Sequence, residues 1–298
     1  MQERHTLGAR SESKHTFPAR LHVLLAREAQ VGLVFRRGPS KQVCTFLWDR
    51  TTHRFTLGQW LKGRIYERRS DLSPDGKHVI YFAMNGQWQS ATGGSWTAIS
   101  RAPWLTAIAL FGKGNCWEGG GLFATDKRYW LNDRYFSPSH VLLDSSAVSM
   151  DPSCAPKQQF NAEDTGVYYP RLLRDGWRLV ERRSHGKWND DVIFDKPLNK
   201  RWTLRKIAHE QIGAPPGKGC YWDEHELRDD AGTVHAQPTW EWAEVDGNQL
   251  LWSERGCLYQ GGSKSDDPVG RRKLLHDFNG YRFQEAVAPY AARAPRRK

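Results

Sequence analysis

From residue 20 onward the chain is a succession of short runs of β-branched and aromatic residues. Each run is closed by Gly, Pro, Asp or Asn, and this punctuation favours a strand-rich fold. RLHVLLA (20–26) and VGLVFRR (31–37) form a hairpin-like pair, and VCTFLWDRTTHRFTLGQWL (43–61) holds two further runs about a polar turn. HVIYFAM (78–84), SWTAIS (95–100) and LTAIALF (105–111) continue the series. The balance of 27 Gly, 15 Pro, 14 Trp, 10 Tyr and 12 Phe against 3 Met points the same way. Helical periodicity is scarce. Its best stretches are 199–213 and 269–278, and the first reads better as a strand opening at Trp202.

Internal similarity is the second constraint. Asp75-Gly76 aligns with Asp175-Gly176, each ahead of an aliphatic-aromatic run, and Gly86-Gln87-Trp88 aligns with Gly186-Lys187-Trp188. Trp96-Thr97 aligns with Trp202-Thr203, and GKGNCWE (112–118) with GKGCYWDE (217–224). Asp246-Gly247 reads as a third turn of the same kind. The period of about 100 residues is roughly twice the ~40–50 residues of a four-stranded propeller blade.

The segment Ser73-Pro74-Asp75-Gly76-Lys77 followed by HVIYF resembles the blade turn of TolB-like and Trp-Asp-repeat propellers. The resemblance spans about a dozen residues and brings no catalytic residue with it. It implies an all-β β-propeller of five blades, with six as the alternative. The expected division is a disordered basic N-terminal tail (1–19), a propeller-like domain (20–290) and a basic C-terminal tail (291–298). Within the domain, 132–168 reads as an irregular excursion, rich in proline and polar residues.

Lys and Arg exceed Asp and Glu by 11 charges, and much of that excess lies in the tails, at Arg4, Arg10, Lys14, Arg293, Arg296, Arg297 and Lys298. Such tails admit nucleic acid as a partner through phosphate contacts. The five cysteines (Cys44, Cys116, Cys154, Cys220, Cys257) contain no CxxC pair, which argues against a disulfide framework or a zinc ribbon. No apolar run approaches the length of a membrane span, and the first residues have no apolar signal-like core. The expected compartment is the cytoplasm, with the membrane excluded as a partner.

Chemical motifs fail on inspection. GAPPGKGC (213–220) has the wrong glycine spacing for a phosphate loop and a glycine where the hydroxyl belongs. Trp222-Asp223-Glu224-His225-Glu226 lacks the second histidine of a zincin helix, and no nucleophile elbow is present. The doublets Asp190-Asp191, Asp229-Asp230 and Asp266-Asp267 read as solvated turns, because adjacent strand residues face opposite ways.

What remains is the tryptophans. Most should be buried, Trp96 and Trp202 foremost. Trp117 and Trp222 each follow a GKG turn and precede an acid, which makes Trp117, Glu118, Trp222, Asp223 and His225 the candidate binding residues. No catalytic residue, metal or cofactor is expected. The function expected is a non-enzymatic interaction module with a protein partner. The alternative is a carbohydrate-active enzyme or lectin-like binder with its site over the propeller channel.

Overall fold

The computed structural model describes residues 17–38, 41–133, 138–160, 163–262 and 267–291. Most of both expected tails therefore lies outside the described residues, and of them Ala19 is buried, its N–H donating to Asn279 Oδ1 at 2.9 Å.

The fold is all-β, in five sheets. The first holds β1 (Arg20–Leu25), β2 (Val31–Arg37), β3 (Gln42–Asp49) and β4 (Arg54–Lys62) in chain order. The second holds β5 (Arg64–Leu72), β6 (His78–Met84), β7 (Ser95–Arg101) and β8 (Ala107–Gly112). The third is small, built from β9 (Gly121–Phe123) and β10 (Arg128–Leu131). β11 (His140–Leu143) then returns to the outer edge of the second sheet, and β12 (Ser149–Met150) pairs parallel to β10. After a helix, α1 (Asp164–Arg174), the fourth sheet comprises β13 (Arg178–Ser184), β14 (Asn189–Pro197), β15 (Thr203–Gln211), β16 (Tyr221–Arg228) and β17 (Val234–Ala236). The fifth holds β18 (Trp240–Asp246), β19 (Gln249–Glu254), β20 (Cys257–Gly262) and β21 (Lys273–Asp277). All other pairings are antiparallel, as expected of strands joined by tight turns.

The turn that carries the propeller resemblance behaves as its residues dictate. Gly76 takes φ +74°, which a side chain would resist, and Asp75 Oδ1 accepts from Ser73 Oγ and the Lys77 N–H. β5 and β6 are thereby joined as a hairpin, and Asp246-Gly247 joins β18 and β19 likewise. Asp175-Gly176 is different. It ends α1: Gly176 has φ +90°, and the Trp177 N–H reaches back to the Leu172 carbonyl. Gly186-Lys187-Trp188 lies between the paired strands β13 and β14, as Gly86-Gln87-Trp88 lies between the paired strands β6 and β7. The Asp-Gly turns at 75 and 175 are the ones that occupy different kinds of connection.

Apolar clusters join the sheets face to face. One packs the first sheet on the second through Phe35, Val43, Val79 and Tyr81. Another packs the second on the third through Ile80, Ile99, Phe123 and Tyr129. Leu122 and Trp130 of the third sheet meet Val167 of α1, and α1 in turn packs with the fourth and fifth sheets through Tyr169, Phe194, Leu204 and Trp252. Trp48 and Phe46 of the first sheet meet Trp242 and Leu251 of the fifth. Each fully buried aromatic side chain contributes about 2–3 kcal/mol of transfer free energy, so these seams carry most of the stability. Trp202 is buried and Trp96 half-buried, on separate seams.

Both stretches with helical periodicity are strands, β15 and β21. The irregular excursion contains β11, β12 and the start of α1. All five cysteines are free.

Candidate functional site

Three sheets direct polar side chains onto α1. In β5 the ladder to β6 breaks between Tyr66 and Asp71, so Glu67 to Ser70 bulge away from it. A bulge re-aims side chains and frees carbonyls. Arg171 of α1 takes up those carbonyls, donating to Glu67 O at 3.2 Å and to Ser70 O, while its Nη2 lies 3.0 Å from His22 Nε2 on β1. Arg68 pairs with Asp223 of β16 at 3.0 Å, and the Tyr168 hydroxyl donates to the same carboxylate at 2.6 Å. Arg69 reaches Asp164 at 2.6 Å, and Arg174 grips Asp71 through two nitrogens at 2.6 and 2.9 Å.

Lys206 of β15 is 1% exposed, with its Nζ 3.2 Å from His225 Nε2 and 3.6 Å from Asp223. Buried lysines of this kind need compensation. Burial lowers the Lys206 pKa against the pull of Asp223. Asp223 itself resists burial and is held well below the usual carboxylate range by Arg68 and Lys206. Burial, reinforced by Lys206, depresses His225 to about 3; burial and the Arg171 charge hold His22 neutral as well. The core is thus a cationic one: Arg68 and Lys206 share Asp223 as their counter-ion, while Arg171 is held by the Glu67 and Ser70 carbonyls.

The five expected binding residues separate into four settings. Asp223 and His225, two apart on β16, face this buried centre together. Trp222 faces the other way and stacks on His209, 4.4 Å between ring centres; His209 in turn hydrogen-bonds Asp191 at 2.7 Å, which also meets His185 at 2.8 Å. Glu118 is fully buried in an ion pair with Lys113 at 2.9 Å. Trp117 is half exposed, in the loop between β8 and β9. The two Trp-acid pairs consequently sit on different sheets, and neither acid lies open on a rim. Arg68, Arg171, Lys206 and Tyr168 escaped the sequence reading, although the uninterrupted charge run Glu67-Arg68-Arg69 within a strand was a signal of the bulge.

Trp117 has company. Trp88, 54% exposed, lies in the loop between β6 and β7, which touches the Trp117 loop: a Cβ on Gly93 would sit 2.9 Å from Gly114 Cα. A Cβ on Gly112 would meet Leu142 of β11 at 3.1 Å and Thr92 Cα at 3.3 Å. Val141, Leu142 and Leu143 are 63, 41 and 44% exposed. Two indoles and an aliphatic strand therefore gather at one end of the second sheet. Arg69 ties this end to the buried centre, donating to the Cys116 and Glu118 carbonyls at 2.6 and 2.8 Å.

A separate cleft of about 490 Å³ lies over the fourth sheet, lined among others by Phe160, Tyr169, Arg182, Asp190 and Glu210. Asp190 and Glu210 are directly opposite on β14 and β15, and the Tyr169 hydroxyl donates to Glu210 at 2.9 Å. Among the described residues no group of three or more His, Cys, Asp or Glu is placed to hold a metal ion, and no helix is long and apolar enough to cross a membrane.

No family model matches the chain, and no curated protein matches it. Among solved structures, a hydrazine synthase chain from Kuenenia stuttgartiensis is similar over 87% of this chain and 80% of its own, at 9% identity and a TM-score of 0.30.

Proposed function

We propose that this chain is a non-enzymatic, cytoplasmic interaction module: a five-bladed, propeller-like ring whose centre is filled by α1 and whose partner docks at the end of the second sheet. The observation that carries the reading is the exposed group of Trp88, Trp117 and Leu142. Aromatic residues left open on neighbouring loops are the side chains that anchor protein partners. The ring is supported by the order of the apolar seams, which run from sheet to sheet and from the fifth back to the first. The filling of the centre by Arg171, Tyr168 and Lys206 leaves function to the periphery. Glu118 serves as a support, its ion pair with Lys113 fixing the loop that presents Trp117.

The test is affinity capture from native lysate with wild-type chain and with Trp88→Ser/Trp117→Ser. A partner held by the wild type and lost from the double variant is expected; equal capture by both removes the proposal.

A carbohydrate-binding reading moves from the channel to the cleft over the fourth sheet, favoured by the opposed Asp190 and Glu210 beside Phe160 and Tyr169. Paired carboxylates near an aromatic ring suit sugar hydroxyls and, at the right separation, glycoside chemistry. A glycan panel in a thermal-shift assay tests it, a sugar at 100 times its Kd adding about 2.7 kcal/mol. A shift abolished by Asp190→Asn supports this reading, and no shift with any glycan eliminates it.

A further inference from the structure

We infer that β11 is a self-complementary edge and that the partner it takes is a second copy of this chain, paired antiparallel about Leu142. The inference rests on the interaction reading above, in which this end of the second sheet is a docking face.

Sheet edges that are not meant to pair are blunted by charge, brevity or a cover. The other outer strands follow that rule. β13 carries Arg178, Glu181, Arg182 and Arg183. β21 begins at Lys273, and β17 is three residues long. β4 ends in Arg54 and Lys62, and the C-terminal segment packs beside it, with Gln59 Nε2 donating to the Ala286 carbonyl at 3.0 Å. β11 alone among them presents three consecutive aliphatic residues, exposed on both faces of the strand.

Its sequence decides the occupant. In an antiparallel pairing centred on Leu142, His140 of each copy lies opposite Asp144 of the other, Val141 opposite Leu143, and Leu142 opposite itself. Directly opposed side chains are the interacting units of a sheet, so apolar pairs fill the middle and complementary polar pairs close both ends. Such an arrangement is two-fold symmetric and closes on itself as a dimer. The bulge between Val141 and Leu143 leaves Leu142 without an opposing residue on β8. Five paired residues from each copy alone fall short of the roughly 1,200 Å² of a stable interface. Trp88 and Trp117 stand beside the strand to extend it, and a concentration-dependent dimer is the expected result.

The experiment is sedimentation velocity on the full chain over a wide concentration range. Wild type should show a monomer–dimer equilibrium. Leu142→Lys should abolish it, His140→Asp should weaken it at least tenfold, and His140→Asp/Asp144→Lys should restore it. Val180→Lys on the exposed face of β13 should change nothing. Circular dichroism confirms that each variant folds, and His140→Asp carries the test if Leu142→Lys does not. A wild type monomeric at every concentration, or a dimer indifferent to Leu142→Lys and His140→Asp alike, overturns the inference. If the chain is monomeric yet captures a partner through Trp88 and Trp117, the interaction reading stands and this one falls.

Discussion

At the scale of single residues, Asp223 bears the largest electrostatic load. Its side chain is 4% exposed and faces Arg68, Lys206 and the Tyr168 hydroxyl. Asp223→Asn keeps the volume and removes the counter-charge of two buried cations. Breaking a buried pair in this way costs about 3–5 kcal/mol, whereas Tyr168→Phe, which removes one hydrogen bond, costs about 1–3 kcal/mol. Urea midpoints should rank the variants in that order; equal losses would show that the cations have other compensation. Two glycines separate conformational from steric demand. Gly86 and Gly120 have φ +72° and +77°, but a Cβ on Gly86 meets nothing within 4 Å, and one on Gly120 would lie 1.9 Å from the Arg69 carbonyl oxygen. Gly86→Ala should cost about 1 kcal/mol. Gly120→Ala should prevent accumulation of folded protein, since it drives a side chain into the backbone of the β5 bulge; equal thermal stability of the two variants would refute this.

At the scale of elements, strands were legible and the helix was not. Alternating apolar runs and Asp-Gly turns announced β1 to β8 because pleat and turn chemistry are local. α1 contains Gly166, Pro170 and two tyrosines, a poor set by intrinsic propensity, and it exists because Tyr168, Tyr169 and Leu172 are buried by the sheets around it. Asp175-Gly176 misled for a related reason: a glycine at positive φ ends a helix as readily as it turns a hairpin, and only the carbonyl it satisfies tells the two apart. The buried cations were hidden as well. The run Glu67-Arg68-Arg69 marks an irregular strand but does not say whether it faces water or a buried centre, so Asp223 and His225 were singled out while their partners were not. Amide exchange distinguishes the two kinds of element. Amides of Tyr168 to Leu172 should exchange only through global unfolding, and those of the exposed β13 should exchange by local opening with lower protection. Early exchange across α1 would mean that the helix opens on its own.

At the scale of the whole molecule, the buried centre couples stability to acidity. His22 and His225 are neutral in the fold, held down by burial with Arg171 and Lys206 adding to it, and His225 lies at about 3. In the unfolded chain both return to about 6.5. The unfolded state therefore binds the extra protons as pH falls. Stability is complete above about pH 6.5 and declines below it, by at most about 1.4 kcal/mol per pH unit for each histidine. Asp175 and Glu241, which burial raises, act in the opposite sense at the acid end, where the unfolded carboxylates titrate near 4. Asp223, held low, adds its own loss once pH drops below that range. Between pH 6.5 and 5 the unfolded imidazoles take up their protons, and His53, His78 and His276, which burial also lowers, add to the same decline. The urea midpoint should fall steadily from pH 7 to pH 5, and His225→Gln, which cannot take up a proton, should reduce the slope while His22 and the other lowered histidines sustain the rest. A midpoint flat across this interval would mean that both imidazoles reach solvent, and that the centre around Lys206 and Asp223 is not closed to water.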